Sequence, residues 1–125
     1  MDLSQRRNLI KTQDNPNKAI DYLVSLKGQC PQAKRHLTLR YAPDRLIMER
    51  NCFQNYMVAL FADANLPIET IANTLLEDIN NELVARWVQV KVSEDFDEAN
   101  QHFVIVEDQQ PQWDNPHFMA RLSKV

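Results

Sequence analysis

Glycine is almost missing from this chain: Gly28 is the only one in 125 residues. A phosphate-cradling P-loop needs two glycines and a dinucleotide fingerprint three, so neither can be assembled here. Cysteine is nearly as scarce. Cys30 and Cys52 form no CxxC pair and cannot supply a four-sulfur metal site. No apolar run approaches the roughly 18–20 residues that span a bilayer. The opening Met1-Asp2-Leu3-Ser4-Gln5-Arg6-Arg7 leads into polar sequence rather than the apolar core of a secretory signal. A cytoplasmic protein with no membrane partner is therefore expected. A basic excess is absent too: fourteen Lys and Arg face seventeen Asp and Glu, a net charge of −3, which argues against a dedicated nucleic-acid binder. His36, His102 and His117 are scattered without ligand spacing, so no metal site is expected.

What is present has the balance of a globular domain, with 44% hydrophobic and 25% charged residues. The length suits one domain. Residues 1–19 carry little apolar periodicity and read as an N-terminal arm. From Ile20 the chain alternates through Tyr22, Val24 and Leu26 as a first strand, and Lys27 to Gln32 reads as a turn that uses Gly28. Leu37, Leu39 and Tyr41 share one face of a second strand. Leu46 to Glu49 fits either an extended segment or a helix start. Phe53, Tyr56, Met57, Leu60 and Phe61 recur at helical spacing over about 51–62. Pro67 then opens a second helix, whose stripe runs Ile68, Ile71, Ala72, Leu75, Leu76, Ile79 and Leu83. Val88, Val90 and Val92 mark a third strand and Phe103 to Val106 a fourth, with an acidic turn between them. Residues 109–125 read as an irregular tail.

The expected fold is therefore α+β: a β-β-α-α-β-β order, with two helices stacked on one face of an antiparallel four-stranded sheet over residues 20–108. The unpaired edges of such a sheet make self-association, as a homo-oligomer, the natural expectation.

Several residues carry a resemblance. Asn15-Pro16 followed by Asp21-Tyr22-Leu23-Val24, then Leu39-Arg40-Tyr41-Ala42-Pro43-Asp44 and Leu46-Ile47-Met48-Glu49, and the stretch from Phe61 through Glu69 to Leu76-Glu77-Asp78, resemble the tunnelling-fold family. Within it they are most similar to the NADPH-dependent 7-cyano-7-deazaguanine (nitrile) reductases of queuosine biosynthesis. That resemblance implies a purine- or pterin-like ring bound between subunits, with Glu69 accepting hydrogen bonds from the ring's N–H and amino groups and Glu49 nearby. A carboxylate's two oxygens suit such a paired donor edge. It also implies a catalytic thiol at Cys30, which precedes Pro31, and NADPH contacts near Arg50. The chain departs from the family pattern in four places. The Thr-Gly-Gln-Pro-Asp portion after the Cys-Pro is missing, since Gln32-Ala33-Lys34-Arg35 leads straight into the second strand. Asn51 and Gln54 stand where the family has lysines, and Ile68 replaces the histidine before the glutamate. Gln101-His102 replaces a glycine pair. Three readings remain open from the residues: a ring-binding relative with a broken catalytic loop, a thiol enzyme acting on a nitrile deazapurine through Cys30, and a non-catalytic oligomeric interaction module.

Overall fold

The computed structural model describes residues 2–30, 34–63, 65–95 and 100–124. A four-stranded antiparallel sheet runs in the order β2 (Val24–Gln29), β3 (Arg35–Ala42), β5 (Trp87–Asp95), β6 (Gln101–Gln109). Period-two alternation sends Leu37, Leu39 and Tyr41 of β3 and Val88, Val90 and Val92 of β5 to one face, where all six are buried. Two helices cover that face. A single 3₁₀ turn, Arg50–Cys52, leads into α2 (Phe53–Leu60), and α3 (Ile68–Leu83) lies against β5 and β6. The α3 stripe buries Ile68, Ile71, Ala72, Leu75, Ile79 and Leu83, so the helix forms because one face removes a continuous apolar band from water. The α+β class, the antiparallel sheet and the paired helices on one face are as the periodicity predicts. Among the described residues no helix is long and apolar enough to cross a membrane.

The differences have local causes. Gly28 is not a turn residue: it lies inside β2 opposite Leu37, with no positive φ. A Cβ there would stand 2.0 Å from Met57 Sδ and 2.3 Å from its Cε, so the missing side chain makes room for α2 to settle on the edge strand. The first strand begins at Val24 rather than Ile20. The preceding stretch is bound elsewhere: the Asp21 carboxylate accepts from Arg86 Nη1 (2.9 Å), Trp113 Nε1 (3.1 Å) and Asn115 Nδ2 (2.7 Å). Those bonds also order the tail. It forms α4 (Pro116–Arg121), capped by the Asn115 side chain, and Phe118 packs edge-on against Trp87 and Trp113 on the sheet's other face. The acidic segment read as a turn, Ser93 to Asn100, begins instead as strand, since β5 continues to Asp95; residues 96–99 lie outside the described residues.

The first nineteen residues hold regular structure as well. Helix α1 (Leu3–Asn8) starts in a capping box between Asp2 and Gln5, and β1 (Thr12–Asp14) pairs with β4 (Leu46–Met48). Helix α1 buries none of its own residues. It is held by charge: Arg6 Nε reaches Asp78 Oδ2 at 2.6 Å and Arg7 Nε reaches Oδ1 at 2.9 Å, while the buried Tyr56 hydroxyl donates to Oδ2. Asp78 is fully buried on α3. Burial opposes its ionisation, but the hydrogen bonds from Arg6, Tyr56 and Arg7 outweigh that and hold its carboxyl below the usual range. Burial, reinforced by the Asp78 carboxylate, pushes the Tyr56 phenol well above its ordinary value.

Candidate functional site

Backbone register strings several chemically capable residues along one line. The Cys30 N–H donates to the Arg35 carbonyl at 2.9 Å, just beyond the paired part of β2. Arg35 is opposite Glu94, and Glu94 is opposite His102. Residues directly opposite each other share a face, so Cys30, Arg35, Glu94 and His102 form one row on the helix-covered side, from edge strand to edge strand. Helix α3 closes the far end: His102 Nε2 is 3.6 Å from Glu69 Oε2.

Glu69 occupies the first turn of α3, where a carboxylate interacts favourably with the helix dipole. Its side chain is 56% exposed. It borders an open groove of about 350 Å³ lined by Thr70, Asn73, Thr74 and Glu77. Proline at the N-cap leaves the turn uncapped by any side chain, and the Glu69 carboxylate is not used as a cap. It remains available to outside donors, with His102 as its neighbour. The sequence spacing gave no sign of that histidine; only the closure of β6 against α3 reveals it.

Cys30 is buried and belongs to the main hydrophobic core, as does Cys52. Strands lie about 4.8 Å apart, so three strand spacings put Cys30 roughly 14 Å from His102. At that separation Cys30 and His102 do not form a thiol–imidazole pair within one chain. Residues 31–33, which hold the Pro31 of the Cys-Pro step, lie outside the described residues. Arg35 sits between. Its Nε binds Glu94, and its buried Nη1 has no partner among the described residues. Glu49 and Arg50 stand elsewhere, exposed at the start of the 3₁₀ turn, where the Glu49 N–H donates to the Lys11 carbonyl at 2.8 Å. Among the described residues no hydrogen bond or ion pair joins Glu49 or Arg50 to Glu69 or Cys30. Arg50 and Lys11 are exposed side chains that no described partner fixes.

No family model matches the chain. Two curated relatives, the NADPH-dependent 7-cyano-7-deazaguanine reductases of two strains of Nitratidesulfovibrio vulgaris, are each 38% identical over 55 residues. That match takes in 44% of this chain and 33% of each relative, so the chain accounts for about a third of the reductases' length. A solved structure, the archaeosine synthase QueF-Like in its apo form, superposes with a TM-score of 0.50 at 16% identity, covering 74% of this chain and 95% of the other. With its antiparallel sheet and paired helices, the chain has the QueF-like tunnelling fold and is related to the 7-cyano-7-deazaguanine reductases.

Proposed function

We propose that the chain binds a flat purine- or pterin-like heterocycle, of the 7-cyano-7-deazaguanine type, against Glu69 and His102, and that a second copy of the chain completes the pocket. One observation carries this reading: the Glu69 carboxylate stands 3.6 Å from His102 at an unpaired edge strand, open to solvent. A ring held there by one chain is covered on one side only. Strands β2 and β6 are the two unpaired edges of the sheet, and the row that begins at Cys30 on β2 ends at His102 on β6. Edge-to-edge pairing of two copies brings the Cys30 end of one chain beside the Glu69 end of the next. The carboxylate then accepts from a ring N–H and amino group, and His102 supplies a neighbouring donor.

This is binding without a covalent step. The Cys30 thiol faces the core rather than the groove, and no aspartate follows it in the shortened loop. Calorimetric titration with 7-cyano-7-deazaguanine and with pterin is expected to give saturable heat that Glu69→Gln weakens tenfold or more, since a charge-assisted pair is worth about 1.5–3 kcal/mol. The absence of heat, or equal binding by Glu69→Gln, refutes the pocket. Intact mass separates the enzyme reading: an adduct lost in Cys30→Ser would replace binding alone with thiol chemistry.

A further inference from the structure

The other face of the sheet carries a groove of its own. On that side the register sets Lys27 of β2 opposite Thr38 of β3, and Thr38 opposite Lys91 of β5. One step along, Ser25 is opposite Arg40, and Arg40 is opposite Gln89. The C-terminal segment lies over these rows, with the Ser123 carbonyl and hydroxyl accepting from Arg40 Nη1 at 3.0 and 3.2 Å. The result is a groove of about 390 Å³ bordered by Lys27, Arg40, Lys91 and Lys124, with Ser25 and Thr38 on its floor. Among the described residues no carboxylate lines it.

The charges there meet no carboxylate among the described residues. Among the described residues none of the four cations is in an ion pair. The chain's net charge is −3, so these four positive charges sit against −7 on everything else. Arg40 is the telling member. Only 5% exposed, it donates from Nε and Nη2 to Gln89 Oε1 at 3.0 and 2.7 Å, and from Nη1 to Ser123. All of these acceptors are neutral. The Trp87 ring, 5.7 Å from its guanidinium carbon, adds a cation–π contact without cancelling the charge. The carboxylate on that row, Glu107, is two strands from Arg40 and accepts from Trp87 Nε1. A buried cation is ordinarily matched by an anion, because leaving it unmatched in a medium of low dielectric constant is costly. Among the described residues Arg40 has no such match, and the groove leaves space for one.

We propose that this groove binds a small phosphorylated or pyrophosphate-type oxyanion. Lys27 and Lys91 would grip it from either side of the Thr38 hydroxyl, with Arg40 beneath and Lys124 above. A tetrahedral oxyanion offers several acceptors to this ring of donors and supplies the charge Arg40 lacks. The groove's volume falls in the range of small-ligand sites. It lies on the opposite side of the sheet from Glu69, so it is a separate site from the proposed ring pocket.

Calorimetry of the full chain with inorganic pyrophosphate tests this. Saturable binding is expected, weakened about tenfold by Lys27→Gln or Lys91→Gln and unchanged by Lys34→Gln outside the groove or by Glu69→Gln across the sheet. Circular dichroism checks that each variant is folded. An absence of saturable heat overturns the proposal, as does undiminished binding by both lysine variants. Tighter binding of a single-stranded RNA oligomer than of pyrophosphate, lost in the same variants, overturns the small-ligand assignment.

Discussion

Replacing Asp78 by Asn keeps the shape of a fully buried side chain and removes only its charge. In the folded protein that carboxylate receives Arg6 through two nitrogens, Arg7 through one and the Tyr56 hydroxyl. Removing one partner of a buried ion pair costs about 3–5 kcal/mol when the other is stranded. Here the arginine side chains are 20% and 22% exposed, so they can turn toward water, and the cost falls to about 2–3 kcal/mol. A chain of this length has an unfolding entropy near 260 cal/mol/K at its midpoint, so the melting temperature should fall by about 8–12 °C. Urea denaturation with an unchanged slope would confirm that the loss is one of stability rather than a change in compactness. Tyr56→Phe deletes one donor and should cost about 1 kcal/mol. Combined with Asp78→Asn it should cost less than the sum, because the two groups share a bond. A loss below about 1 kcal/mol for Asp78→Asn would show that α1 is not held by this network.

Acid should expose the same network. The Asp78 and Asp21 carboxyls both lie below their usual values: burial opposes ionisation in each, and hydrogen bonds from their arginine, tyrosine, tryptophan and asparagine partners prevail. A carboxyl depressed in the folded state contributes its full stability above the unfolded value, near 4, and loses it as pH falls through the folded value. The urea midpoint should therefore drop steeply below about pH 4, with a shallower decline in Asp78→Asn; parallel profiles would refute the assignment. At the end of α3, Val84 has φ 49° and ψ 53°, a left-handed conformation that costs a branched side chain about 1–2 kcal/mol. Val84 is exposed, so Val84→Gly gives up little burial and should raise the melting temperature by about 2–4 °C in calorimetry, even after the entropy cost of glycine; a lower melting temperature would refute the strain.

The elements read correctly from sequence are those whose signal is their own periodicity. The α3 stripe and the valine alternation of β5 state which face is buried without reference to any other segment. What escaped depends on partners far along the chain. Gly28 looks like a turn because glycine is turn-prone, and only Met57 shows why it must be a strand residue. Helix α1 has no apolar face, and its anchor is seventy residues away. Two local signs pointed to it: the Asp2…Gln5 capping box, and Asp78 standing on the apolar side of α3 one position before Ile79. The Asn115 cap gave a similar sign of α4. Of the candidate site residues, Glu69 was legible only through resemblance, and His102 could not be associated with it until β6 was paired.

The row from Cys30 to His102 sets what a second copy of the chain would have to bring to the proposed pocket. Within a sheet, distance across strands grows by about 4.8 Å at each step and no side-chain rotation can shorten three of them. A thiol on one edge and a carboxylate–imidazole pair on the other cannot act on a single ring in the same chain. If copies pair edge to edge as proposed, β2 of one chain becomes the neighbour of β6 of the next, and a continued register would set Cys30 of one copy opposite His102 of the other. Subunit mixing can detect this. If a Cys30→Ser chain and a Glu69→Gln chain assemble together, half the contacts that pair unlike chains should keep an intact Glu69 beside an intact Cys30. The thiol adduct that would replace binding alone needs both residues at one contact, so it would return on mixing, whereas a site built inside one chain would stay broken in every subunit.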